Sequence, residues 1–168
     1  NAITGFASSI GAKTPLLDAV LSINNERASK ILSLAKQILK DYNSKKVVVL
    51  GLAFKPDTDD MRSSPAIEVI KKLQKEDIDI HAYDPKVNEE NLKLMGINNI
   101  IFHKTVEDSI KDSDLVILLT KWSEFKNING KLLKKYMKIP KIIDGRGFLD
   151  KTKFENNTYY KIGLNEKK

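Results

Sequence analysis

Apolar residues recur at two different spacings along the chain, and the change between them divides it. Ala2, Ile3, Phe6, Ala7 and Ile10 follow helical spacing and stop at Gly11, a residue suited to the left-handed cap that closes helices. Thr14 and Pro15 then predict a second start, with threonine as N-cap and proline in the first turn. Helical spacing continues to about Tyr42, which predicts a helix of about 28 residues and ~42 Å. Leu16, Val20, Ile23, Ile31, Leu34 and Ile38 form its apolar stripe. A helix this long outgrows the domain behind it, so the stripe is expected to meet another chain or domain. A helix lying along its own domain is the other reading.

After Asn43 and Ser44 the texture changes. Residues 46–52 read as a fully buried strand and 65–74 as a helix with Ile67, Ile70 and Leu73 inward. Ile78, Ile80 and Ala82 alternate with polar partners, predicting a strand with one dry face that ends at Asp84-Pro85. A short helix over 88–95 closes at Gly96, and 99–103 form a strand. Thr105 with Asp108 resembles a capping box. Residues 114–120 are another buried run, 131–137 a basic helix and 141–143 a short strand, while the polar tail from about Lys151 has no assigned element. Strands too continuously apolar for a one-sided sheet, separated by helices, predict an α/β fold: a Rossmann-like parallel sheet with helices on both faces, preceded by a long helical element. The expected division is 1–43 and 44–168.

Composition narrows the functions. No apolar run approaches a membrane span, and no secretory signal is visible, so a cytoplasmic location without membrane contact is expected. The absence of cysteine excludes disulfides, thiolate zinc sites and a thiol nucleophile within these residues. The two histidines, His81 and His103, both fall in expected strands, and no metal site is expected. The net charge of +7 comes from lysines scattered along the chain, a solvated surface rather than a nucleic-acid footprint. The pattern starts at Asn1 within a helix that has no start signal, as expected of a piece of a longer chain.

In a doubly wound sheet, ligands bind beyond the carboxyl ends of the strands. Three polar clusters fall there: 54–62, 120–124 and 144–147. Ser64 before Pro65 is an N-cap, so Lys55 and Arg62 flank a helix N-terminus, where backbone N–H groups favour an anion. Asp57, Asp59 and Asp60 share that loop. They either cap backbone N–H groups, hold the two cations in fixed directions, or accept ribose hydroxyls; a surface loop of paired charges is the competing reading. One glycine and no GK[ST] exclude a Walker loop. Gly145-Arg146-Gly147 presents a planar fork suited to phosphate or carboxylate, or else a solvated arginine on a surface turn. Trp122 is a packing residue or a stacking platform. No catalytic triad, carboxylate pair or metal cluster can be assembled.

The segments "GLAFKPDTDDMRSSPAIEVIKKL", "HAYDPKV", "DLVILLTKWSEF" and "IIDGRG" resemble, in that order, the C-terminal domain of the UDP-glucose/GDP-mannose dehydrogenase family. The opening region, "NAITGFASSIGAKTPLLDAVLSINNERASKIL", resembles the family's central helical domain, which forms a homodimer. The resemblance implies NAD-dependent oxidation of the C6 alcohol of a nucleotide sugar to a carboxylate. UDP-glucose, a UDP-N-acetylhexosamine and GDP-mannose are all candidate substrates. Phe54, Lys55 and Arg146 would contact the UDP-sugar, and Arg62 would reach NAD held mainly by another domain. That domain and the family's nucleophilic cysteine are absent from these residues and are expected just upstream of Asn1. No catalytic residue is therefore expected in this chain, which alone would be inactive. A non-catalytic nucleotide-binding module of the same descent is a further alternative. Lys121 stands where many relatives carry an acid.

Overall fold

Val47, Val48, Val49 and Leu50 are buried, and so are Leu115, Val116, Ile117 and Leu118. β-branched side chains favour the extended chain, and cover on both sides of a strand removes any need for polar alternation. In the computed structural model, which describes residues 2–162, these runs lie side by side at the centre of a six-stranded sheet. The strands are β1 (Lys45–Leu50), β2 (Ile78–Tyr83), β3 (Ile101–Phe102), β4 (Leu115–Leu118), β5 (Ile142–Asp144) and β6 (Tyr159–Lys161). Their spatial order is β3-β2-β1-β4-β5-β6, with every neighbouring pair parallel. In register, Val47 stands opposite Ile80 on one side and Leu115 on the other. Parallel crossovers are right-handed, so the reversal of order between β1 and β4 sends the helices to opposite faces. The fold is α/β and Rossmann-like.

The helices are α1 (Ala2–Ser9), α2 (Pro15–Leu39), α3 (Pro65–Leu73), α4 (Glu89–Leu94), α5 (Val106–Ile110) and α6 (Gly130–Tyr136). Single 3-10 turns occupy Ser123–Asn127 and Lys151–Lys153. Ser64 caps α3 as expected, accepting from the Ala66 N–H at 3.2 Å. Asn88 and Asn91 form a reciprocal capping box on α4.

Helix α2 departs from its expected form in two ways. It ends at Leu39 after 25 residues, because Lys40 turns left-handed at φ +69°. At its start, Thr14 makes no side-chain cap; its hydroxyl lies 3.3 Å from the Asp18 carboxylate instead. The apolar stripe also divides. Of its second half, Ile31 is buried and Leu34 and Ile38 are half-buried, while Ala28, Ala35 and Leu39, outside the expected stripe, are buried, and the two alanines let α2 pack closely against α3. Leu16, Val20 and Ile23 remain exposed, Leu16 at 77%.

Three strands also differ. β2 is not one-sided: His81 and Tyr83 are buried along with Ile80 and Ala82, because β1, β3 and α5 all pack around it. β3 is only two residues long, preceded by Asn99 in the left-handed region at φ +55°. The tail supplies an unexpected sixth strand, β6, anchored by the Ile142 N–H donating to Thr158 O at 2.8 Å. No helix of the described residues is long and apolar enough to cross a membrane.

Candidate functional site

The three polar clusters do sit at carboxyl ends of β1, β4 and β5, around the switch point of the sheet. After β1 the chain turns at Gly51, φ +85°, where a side chain would collide with the backbone of Thr120 beyond β4. Only glycine lets the two strand ends come this close. The Thr120 hydroxyl donates to Ala53 O at 2.6 Å, and the Phe54 N–H donates to Asp60 O at 2.9 Å, closing the neck of the loop. Phe54 and Lys55 stand exposed on that loop. Asp57 and Ser63 both have positive φ, a strained conformation for residues with a side chain.

Among the readings of the loop aspartates, Asp60 fits two, since its Oδ1 accepts from the Arg62 backbone N–H at 2.9 Å and the same carboxylate holds the Arg62 side chain. The Arg62 guanidinium donates in a fork to Asp60, Nε to Oδ1 at 3.0 Å and Nη2 to Oδ2 at 2.9 Å. These hydrogen bonds pull the Asp60 carboxyl from its ordinary 3.8 down to about 2. Arg62 is nonetheless 83% exposed, aimed along a set direction rather than neutralised in the interior.

At the end of β5, Asp144 is fully buried and accepts four hydrogen bonds: from the N–H groups of Arg146, Phe148 and Leu149 and from the Tyr159 hydroxyl, at 2.7 to 2.9 Å. This carboxylate shapes the turn that presents Arg146. Gly147 completes it at φ +58°, and a side chain there would run into Lys161 of β6. The Arg146 Nε is buried and has no hydrogen-bond partner among the described residues.

Arg146 lines a cavity of about 350 Å³. Its wall brings together Arg27 and Ile31 of α2, Pro65 at the start of α3, Leu119 and Lys121 after β4, the Gly145-Arg146-Gly147 turn, and Lys161 with Ile162. Among the described residues, four cations face this space and no acid does. Among the described residues, none of the four pairs with a carboxylate. Like charges drawn together without counter-charges raise the local potential and favour an anionic ligand. The cavity size is that of a small-molecule site. Phe54, Lys55 and Arg62 do not line this cavity. Their loop approaches it only at Pro65, the residue after the Ser64 cap. Arg27, Lys121 and Lys161 were not singled out from the sequence as site residues; only Lys121 carried a signal, as a cation at a strand end.

The fold's usual dinucleotide site does not suit NAD here. The first turn has one glycine, and the carboxylate at the end of β2 that would take a ribose is already spent. Asp84 is buried and accepts from the N–H groups of Leu52, Ala53, Lys86 and Val87 and from the Trp122 indole N–H, at 2.7 to 3.1 Å. Trp122 is accordingly a buried packing residue whose indole is anchored on Asp84, not a stacking platform.

Comparison with known proteins agrees with this architecture. Residues 48–151 match the model of the UDP-glucose/GDP-mannose dehydrogenase family, UDP binding domain. A UDP-glucose 6-dehydrogenase of Rickettsia conorii is 36% identical over 150 residues, covering 89% of this chain and 34% of that protein. The chain thus spans about a third of the length of such relatives. The UDP-N-acetyl-mannosamine dehydrogenase Cap5O from Staphylococcus aureus superimposes with a TM-score of 0.69 at 34% identity, over 91% of this chain and 36% of that one. A UDP-glucose dehydrogenase from Pyrobaculum islandicum shares the fold with a TM-score of 0.79 at 24% identity, over 95% and 34% of the two chains. Sequence, sheet order and matched segment together establish that this chain belongs to the UDP-glucose/GDP-mannose dehydrogenase family and carries its UDP binding domain.

Proposed function

We propose that the chain is the substrate-holding part of a UDP-glucose 6-dehydrogenase, binding the UDP portion of UDP-glucose during NAD-dependent oxidation to UDP-glucuronate. The observation that carries this reading is the cavity beyond the ends of β4 and β5, walled by Arg27, Lys121, Arg146 and Lys161 with no acid among the described residues. A diphosphate supplies the negative charge that such a wall lacks, and Arg146 offers a planar fork for it. Phe54 and Lys55, exposed on the loop that adjoins the cavity at Pro65, are read as further substrate contacts, made by this chain without help from another domain. Arg62, held outward by Asp60, is read as the contact to NAD, which is bound mainly by that other domain. The hydride transfers draw on NAD; the residues of this chain bind and orient the nucleotide. No catalytic group is assigned here.

Residues 1–43 are read as a central helical segment and 44–168 as the UDP-sugar domain, with the exposed Leu16, Val20 and Ile23 face of α2 forming a homodimer. A cytoplasmic location is part of this reading. Similarity to the UDP-N-acetyl-mannosamine dehydrogenase at 34% identity favours a second reading, in which the sugar is a UDP-N-acetylhexosamine.

Titration calorimetry with UDP at low salt tests the proposal. UDP is expected to bind, and Lys55→Ala and Arg146→Ala are each expected to weaken it about tenfold. Absence of any UDP binding overturns it. Light scattering of the concentrated chain tests the dimer, which a persistent monomer contradicts.

A further inference from the structure

Arg27 and Lys161 lie outside the segment that matches the family's UDP binding domain, one before it and one after it, yet both line the cavity that Arg146 enters. Each is delivered there by packing. The buried Ala28 and Ile31 seat the middle of α2 against the domain, which brings the neighbouring Arg27 to the cavity rim. On the opposite wall, β6 pairs with β5 so that Lys161 stands beside Asp144 in register, and its side chain crosses Gly147. A residue with a side chain at position 147 would displace that lysine. Neither cation pairs with a carboxylate among the described residues.

We infer that Arg27 and Lys161 are ligand-binding residues that clasp the diphosphate of the bound nucleotide from two sides, so that α2 and the last strand set the affinity of the site. The inference rests on the proposed UDP-binding role of this cavity and adds to it which charges count. A wall of four cations, with no acid among the described residues, is matched by a ligand with two or more negative charges. A uridine moiety alone, being neutral, gains nothing from it. Lys161 is the more dependent of the two, because its position relies on Gly147 and on the pairing of a three-residue strand.

The test is calorimetry on the chain with UDP, UMP, uridine and inorganic pyrophosphate, comparing wild type with Arg27→Gln, Lys161→Met and the charge-keeping Arg27→Lys and Lys161→Arg. Arg27→Gln and Lys161→Met are each expected to weaken UDP about tenfold, the loss of one charge-assisted contact, and to lower the slope of log affinity against log salt. The charge-keeping variants should recover most of the affinity. Pyrophosphate binding with the same dependence on both cations supports the clasp, since the claim concerns the charged group. Wild-type UDP binding that falls with Arg146→Ala but is unchanged in Arg27→Gln and Lys161→Met overturns this inference while leaving the proposed function standing. A wild-type chain that binds none of the four overturns both. Circular dichroism melts of each variant identify any loss that comes from unfolding, and in that case the charge-keeping variants decide.

Discussion

At the scale of single residues, two buried aspartates organise the strand ends. Asp144 has no exposed surface, and its carboxylate satisfies three backbone N–H groups and one hydroxyl at once. Burial, and then the neighbouring Asp144, push the Tyr159 hydroxyl above its ordinary pKa, so it remains a donor throughout the working pH range. Asp144→Ala leaves all four donors without their acceptor, those of Leu149 and Tyr159 in buried surroundings. The expected cost is about 3 kcal/mol, read as a lowered urea midpoint with an unchanged m-value. Asp60 shows the opposite case, an exposed carboxylate set by one partner. Its folded pKa is depressed to about 2, so the pair with Arg62 is intact above about pH 4 and is lost as pH falls through 2. An NMR titration should find the Asp60 midpoint near 2, and Arg62→Gln should raise it only part of the way to the ordinary carboxylate range, because the backbone N–H of residue 62 still donates to Asp60.

At the scale of elements, the pair β2 and β3 carries a pH dependence that periodicity alone did not suggest. His81 Nδ1 lies 2.7 Å from His103 Nε2, and His81 Nε2 lies 3.0 Å from Asp79. Burial lowers the pKa of His81, with Asp79 opposing and Lys46 reinforcing; burial and then His81 and Lys46 lower that of His103, with Asp108 opposing. Bases whose folded pKa is lowered bind fewer protons folded than unfolded, so stability is complete above about 6.5 and declines as pH falls below it. The thermal midpoint should therefore drop between pH 7 and pH 5, and the double substitution His81→Gln, His103→Gln should flatten the profile. The same strands show what was legible in the sequence. β1 and β4 announce themselves, because a strand covered on both faces must be apolar at every position. β2 misled, since His81 and Tyr83 look solvent-facing until a second histidine and a covering helix satisfy them. β6 was invisible: a three-residue run, Tyr159, Tyr160 and Lys161, carries too little periodicity, and its pairing with β5 is a long-range fact. The Gly145-Arg146-Gly147 turn was readable from local chemistry. Arg27 and Lys161 were not, because a cation becomes a site residue only through the crossovers that bring α2 and β6 to one rim.

At the scale of the whole molecule, the two ends of the chain should differ in what they contribute to binding. None of the described residues 2–14 lines the cavity, and α2 holds its place through Ala28, Ile31, Ala35 and Leu39, all beyond that segment. Removing residues 1–14 should therefore leave UDP affinity within about twofold, even if it changes self-association. The far end is different in kind. Removing residues 151–168 deletes Lys161 from the wall, takes away the Tyr159 hydroxyl that Asp144 accepts from, and leaves β5 as an unpaired edge. Four parallel strands beside β5 retain the central core, so the shortened chain should still fold, with a lower thermal midpoint. Its UDP affinity should fall further than in Lys161→Met, because the truncation removes a charge and also loosens the turn that aims Arg146. Calorimetry on the two truncations beside the point variant measures this directly. Equal affinity in Lys161→Met and the 151–168 deletion would show that β6 contributes its lysine and nothing to the posture of Arg146.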